Sequence, residues 1–148
     1  MTKDGNTPPP QRGLGLLLRL PYQALVARVR EGLVAAGYDD IHFAHLSVFQ
    51  NVGDGARASD LAERAQITKQ SMGYLVDYLA ARGYVERLPD PTDRRASLIR
   101  LTERGRAVDR TARLLIARLE EECAARVGEE RLRQLRGLLD ELLVALRE

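Results

Sequence analysis

The chain has a single cysteine, so no disulfide closes within it. It has no tryptophan, and aromatic residues make up only 5% of it. Any core must therefore rest on aliphatic side chains. Apolar runs such as Leu14 to Leu18, which contains Gly15, are far too short to span a bilayer. Nothing reads as a secretory signal, so the expected setting is the cytoplasm, with no membrane partner. A Gly-rich phosphate loop after a strand, a nucleophile elbow and paired carboxylates at cleft-forming positions are all missing, which argues against an enzyme. A strong charge of one sign is missing too. The formal net charge of +2 neither demands nor excludes nucleic acid, so the placement of the cations must decide.

What is present suits helices. Leu, Ala and Arg dominate the 148 residues, and 45% are hydrophobic. Residues 1–12 include Thr7-Pro8-Pro9-Pro10 and no apolar period, and read as a disordered arm. From Leu14 to Ala36, Tyr22, Leu25, Val26, Val29, Leu33 and Ala36 recur at helical steps, with Pro21 as a kink or a fresh start and Gly37 as a stop. Asp39 or Asp40 is the expected cap of a second helix, Ile41 to Val52, apolar around much of its circumference. After the break at Gly53-Asp54-Gly55, Ser59 is the expected cap of a short helix to Ala65. A tight turn at Gln66-Ile67 leads to Thr68, which caps a helix from Lys69 to Arg82. Two short helices joined this closely make a helix-turn-helix candidate.

Tyr84 to Leu88 and Ser97 to Leu101 read as strands, joined by a loop rich in Pro and Asp. Thr102 caps a long helix, Glu103 to Val127, and Gly128 separates it from Glu129 to Arg147. In the last helix Leu132, Leu135, Leu139, Leu142 and Leu146 form a near-heptad seam. The predicted fold is mainly α with a small β-hairpin. It is a winged helix-turn-helix at 41–102, flanked by an N-terminal dimerisation helix at 13–40 and C-terminal dimerisation helices at 103–148.

The order helix, helix-turn-helix, hairpin has a direct physical fit to duplex DNA. The major groove admits one α-helix, and an end-on helix offers its first turn. Here that turn carries Thr68, Lys69, Gln70 and Ser71, with Tyr74 one turn on, either reaching a phosphate or packing against the wing. Gln pairs with adenine, Ser and Thr donate or accept, and Lys reaches guanine or phosphate. Gly73, lacking a side chain, lets a sugar-phosphate strand approach. Arg94 and Arg95 sit at the expected hairpin tip, where they cannot help a core. The narrow, electronegative minor groove attracts inserted Arg. Asp93 is expected to brace one guanidinium by a two-pronged hydrogen bond, leaving the other to probe. Which is which stays open.

Four segments together resemble the MarR family of bacterial transcriptional regulators. They are Ser59-Asp60-Leu61-Ala62 through Thr68-Lys69-Gln70-Ser71, Val76 through Val85, Asp90-Pro91-Thr92-Asp93-Arg94-Arg95, and Leu101-Thr102-Glu103-Arg104-Gly105. The resemblance implies a winged-helix homodimer on a pseudo-palindromic operator, often released by a small-molecule effector. It also implies that Arg94 or Arg95 enters the minor groove. A dimer follows on physical grounds as well: the terminal helices carry apolar stripes, and exposing them costs about 25 cal/mol per Å².

The resemblance further implies an effector crevice between the dimerisation helices and the winged domain. Tyr22, Tyr38, His42 and His45 are its candidate wall. His42 and His45 are neighbours on a helix, yet a zinc site needs three or four ligands, and this chain adds only one Cys and the nearby Asp39 and Asp40. No metal and no cofactor is expected. Cys123 continues an apolar stripe with Val108, Ala112, Leu115 and Leu119, and reads as a small core residue rather than a redox sensor. The competing functions are a winged helix used only for protein contact and a redox- or metal-responsive regulator. Cations at both groove-facing sites argue for DNA, because a pure protein module does not need them.

Overall fold

In the computed structural model, residues 11–148 are described. The expected arm lies mostly outside them, and Gln11 and Arg12 have no regular structure. The elements are α1 (Leu14–Ala35), α2 (Phe43–Asn51), α3 (Ala58–Ala65), α4 (Lys69–Ala81), β1 (Val85–Asp90), β2 (Asp93–Leu101), α5 (Glu103–Val127) and α6 (Glu129–Ala145). α1 runs unbroken through Pro21, which sits on an exposed stretch of the helix. Its end is set by Gly37 at φ +92°, with Tyr38 N–H returning to Leu33 O at 2.9 Å. α4 stops in the same way at Gly83, φ +74°, with Tyr84 N–H on Leu79 O at 2.9 Å.

Two helix starts differ from expectation. Neither Asp39 nor Asp40 caps α2. The Asp40 carboxylate accepts the Tyr84 hydroxyl at 2.7 Å, with Arg82 and Arg104 both 3.9 Å away. α2 instead starts at Phe43, with His42 as the N-cap residue and its backbone N–H given to His45 Nδ1 at 2.9 Å. That is a capping-box bond with a histidine in the usual Glu or Gln role. α3 begins at Ala58, placing Ser59 inside the helix and Arg57 at the cap position, where it makes no side-chain capping bond because Asp90 holds its guanidinium.

The core lies where α2, α3 and α4 meet the hairpin and the start of α5. Leu46, Phe49, Leu61, Met72, Val76 and Leu79 are buried there with Tyr84, Ile99 and Val108. At α1, Val29 and Leu33 reach this core, whereas α6 buries no residue. β1 and β2 pair antiparallel from Val85↔Leu101 to Pro89↔Ser97. Ile99 also exchanges two backbone hydrogen bonds with Ala56, at 3.0 and 2.7 Å, which ties the hairpin to the segment before α3.

The Leu-Thr-Glu-Arg-Gly run has a structural cause. Thr102 Oγ accepts Gly105 N–H at 3.1 Å, capping α5, and its hydroxyl reaches Gly83 O at 2.6 Å. A Cβ on Gly105 would stand 2.0 Å from the Tyr84 carbonyl oxygen. Only glycine lets α5 start that close to the hairpin.

Candidate nucleic-acid interface

α3 and α4 are joined by Gln66, which holds φ +56° without being glycine, and by Ile67, whose N–H returns to Ala62 O at 3.0 Å. This tight reversal projects the first turn of α4 outward. Thr68 caps it by accepting Ser71 N–H at 3.1 Å, and Thr68 Oγ lies 2.9 Å from Ser71 Oγ. Thr68, Lys69, Gln70 and Ser71 are all exposed, as expected. Gln70 Nε2 donates to Tyr74 Oη at 3.3 Å, so the tyrosine supports the amide one turn back. Tyr74 is 66% exposed, too open to be packed against the wing. A Cβ on Gly73 would meet nothing within 4 Å, so the space over that position is open.

The hairpin tip differs from a plain loop. β2 begins at Asp93, not Ser97, and Asp90 pairs with Asp93 while Pro89 pairs with Ser97. Arg94, Arg95 and Ala96 therefore bulge out of register. A bulge re-aims side chains and strengthens twist. Asp93 does not brace a guanidinium: its Oδ1 accepts the backbone N–H of Arg95 at 3.0 Å, closing a local turn. Both arginines are exposed, and among the described residues neither guanidinium has an acidic partner. The same holds for Lys69. By contrast Arg87 pairs with Asp77 of α4, and Arg100 pairs with Glu86, so the base of the wing is neutralised and its tip is not.

Asp90, missed as a functional residue by sequence reasoning, secures that tip. It is buried. One oxygen accepts Arg57 Nε at 2.7 Å and lies 2.6 Å from another Arg57 nitrogen. The other oxygen accepts the Thr92 amide at 2.8 Å and the Thr92 hydroxyl at 2.7 Å. The Thr92 bonds, and then the Arg57 guanidinium, hold the carboxyl down at about 2. Asp90 opens the Asp-Pro-Thr-Asp-Arg-Arg run, but its partner Arg57 is 33 residues upstream and carries no sequence signal.

The four candidate effector residues do not converge. Tyr22 alone lines a cavity of about 500 Å³ between α1, α2 and α4, edge-on to Phe43 at 6.0 Å. Leu46, Ile67 and Leu75 form its apolar floor, with Ser47, Gln50, Ser71 and Tyr74 around it. Tyr38 is half-buried against the core, and His42 is the exposed cap of α2. His45 is buried and stacked on Tyr78 at 4.4 Å, with the Arg82 guanidinium over the same tyrosine at 3.4 Å. Burial, then the nearby His42 and Arg82, push its pKa down to about 4. Cys123 is half-buried on α5. No helix of the described residues is long and apolar enough to cross a membrane.

The MarR family profile matches residues 36–96, which span α2 through the wing arginines. The HTH-type transcriptional repressor NicR of Pseudomonas putida is 30% identical over 95 residues, covering 64% of this chain. The match spans 60% of that relative's length. Among solved structures, a cysteine-to-serine variant of MarR from E. coli complexed with operator DNA superposes with a TM-score of 0.78 at 26% identity, covering 88% of this chain and 93% of that one. FabT of Streptococcus pneumoniae in complex with DNA shares the fold, with a TM-score of 0.78 at 18% identity over 90% of this chain and 94% of that one.

Proposed function

We propose that this chain is a transcriptional regulator of the MarR family, and that it represses transcription as a homodimer on a two-fold symmetric operator, released by a small-molecule effector. The observation that carries the reading is the placement of unpaired cations. Lys69 stands at the outward end of α4, and Arg94 and Arg95 stand on the bulged wing tip, while the arginines at the wing base are neutralised. A helix end in the major groove and a cationic finger beside it meet duplex DNA at two neighbouring grooves. Lys69 and the amides at the start of α4 hold phosphate oxygens. Gln70, steadied by Tyr74, and Ser71 read base edges, and Gly73 leaves room for the backbone.

Dimerisation supplies the second reading head. Leu14, Leu17, Leu18 and Leu25 of α1 are exposed, as are Leu135, Leu138, Leu139 and Leu143 of α6. A second copy of these helices covers both stripes at once. Two-fold symmetry then sets half-sites roughly 10 base pairs apart. The repressor assignment follows the description of NicR. The test is selection of bound fragments from a random duplex library at stated salt, alongside sedimentation of the protein. Recovery of an inverted repeat by a dimer is the expected result. A strictly monomeric protein, or one that enriches no duplex, overturns the reading.

A further inference from the structure

Among the described residues, the wall of the cavity between α1, α2 and α4 has no Lys, Arg, His, Asp or Glu. Its polar groups are the hydroxyls of Tyr22, Ser47, Ser71 and Tyr74 and the amide of Gln50. Ser71 and Tyr74 already accept within the protein, from Thr68 and Gln70 respectively, and so keep their own protons to give. The Ser47 hydroxyl is turned to Ala44 O at 2.7 Å. An ionised carboxylate placed here would have no cation to pair with and would lose water, which is the costly case. A neutral hydroxyl or carbonyl finds both donors and acceptors.

Size narrows the occupant further. A volume of about 500 Å³ falls within the range of small-molecule sites. One turn of α-helix fills roughly 400 Å³, so a partner helix would have room for scarcely more than a turn.

We propose that this cavity takes an uncharged, mainly apolar molecule of one or two rings bearing a hydroxyl or carbonyl, and that it disfavours aromatic acids. The proposal rests on the effector-released regulator described above and deepens it by naming the ligand class. It also names the route of action. Ser71 and Tyr74 belong both to the cavity wall and to the groove-facing end of α4, and they hold Thr68 and Gln70. A ligand that takes the protons of these hydroxyls turns them, and so shifts the oxygens to which Thr68 and Gln70 donate on the reading surface.

Two probes of matched shape decide the class: naphthol, neutral at pH 7, and naphthoate, an anion. Calorimetric titration of the full chain without DNA should show naphthol bound at least about tenfold more tightly, because only the anion is buried unpaired. Ala44→Phe, at an exposed position on the cavity rim, should abolish naphthol binding, and Gln50→Arg should improve naphthoate. Circular dichroism verifies that each variant is folded. Naphthol should then release the duplex recovered by selection, and naphthoate should not.

Naphthoate binding as tightly as naphthol overturns the ligand class, whatever the DNA result. Binding of neither probe overturns the site. Naphthol binding without release of the duplex overturns the route through Ser71 and Tyr74 but leaves the DNA-binding reading intact. If no duplex is bound at all, that reading falls, while the calorimetry still decides the ligand class.

Discussion

Acidification from pH 7 to pH 5 should weaken the fold through His45. The imidazole Nδ1 accepts the His42 amide, and the ring lies against Tyr78, with Arg82 on that tyrosine as well. Protonation removes the acceptor and sets a cation near Arg82 and Arg30, with only Asp40 favouring it. Burial and these neighbours hold the folded value at about 4, against 6.5 for a free histidine. The unfolded chain therefore takes the proton first as pH falls. The stabilisation is complete above the unfolded value and drains between about pH 6.5 and 4. Linkage across those two values gives a loss of about 2 kcal/mol between pH 7 and 5, and about 3 kcal/mol by pH 4.

Urea unfolding at fixed protein concentration, at half-unit pH steps, measures it directly. His45→Gln keeps an acceptor for the capping bond but does not titrate, so its stability should stay nearly level over the same range. A wild-type curve flat to within about 0.5 kcal/mol from pH 7 to 5, or the same slope in His45→Gln, would refute the argument.

Four further outcomes bear on the wing and its seat. Arg94→Ala with Arg95→Ala should weaken operator binding and reduce the log–log salt slope by about 0.9 for each phosphate no longer neutralised, measured by fluorescence anisotropy across a salt series. Asp90→Asn should free the wing from Arg57 and weaken binding while leaving the salt slope unchanged, since both wing arginines remain. In the wild type, the Asp90 contribution to stability is present above about pH 4 and disappears as pH falls toward about 2, a window below that of His45. Gly105→Ala should destabilise by about 1–3 kcal/mol in thermal or urea unfolding, despite the higher helix propensity of alanine, because its Cβ collides with the Tyr84 carbonyl.

Local signals were legible in the sequence where one residue acts on its own stretch of backbone. Thr68 and Thr102 cap α4 and α5 as their positions suggest, and Gly37 and Gly83 end α1 and α4. The exposed first turn of α4 was legible for the same reason. Long-range competition was not. Asp40 had the chemistry of a cap, but Tyr84, 44 residues away, holds its carboxylate. Arg57 and Asp90 form the wing clamp across a separation no periodicity encodes. β2 runs past its alternating segment because the bulge at Arg94 and Arg95 lets pairing resume at Asp93. The histidines invited a pocket or a metal because their spacing puts them on one helix. Their bond at the start of α2 gives them a local task instead.

The missing side chain at Gly105 has a mechanical consequence. With α5 seated directly on the Tyr84 carbonyl, no flexible joint separates the wing from this 25-residue rod. A rod of that length measures about 37 Å, and tilting it by about 5° sweeps its end through about 3 Å. In the proposed dimer, small adjustments where two subunits grip each other would thus be geared up at the DNA, and the distance between the heads would be set by the angle of a lever.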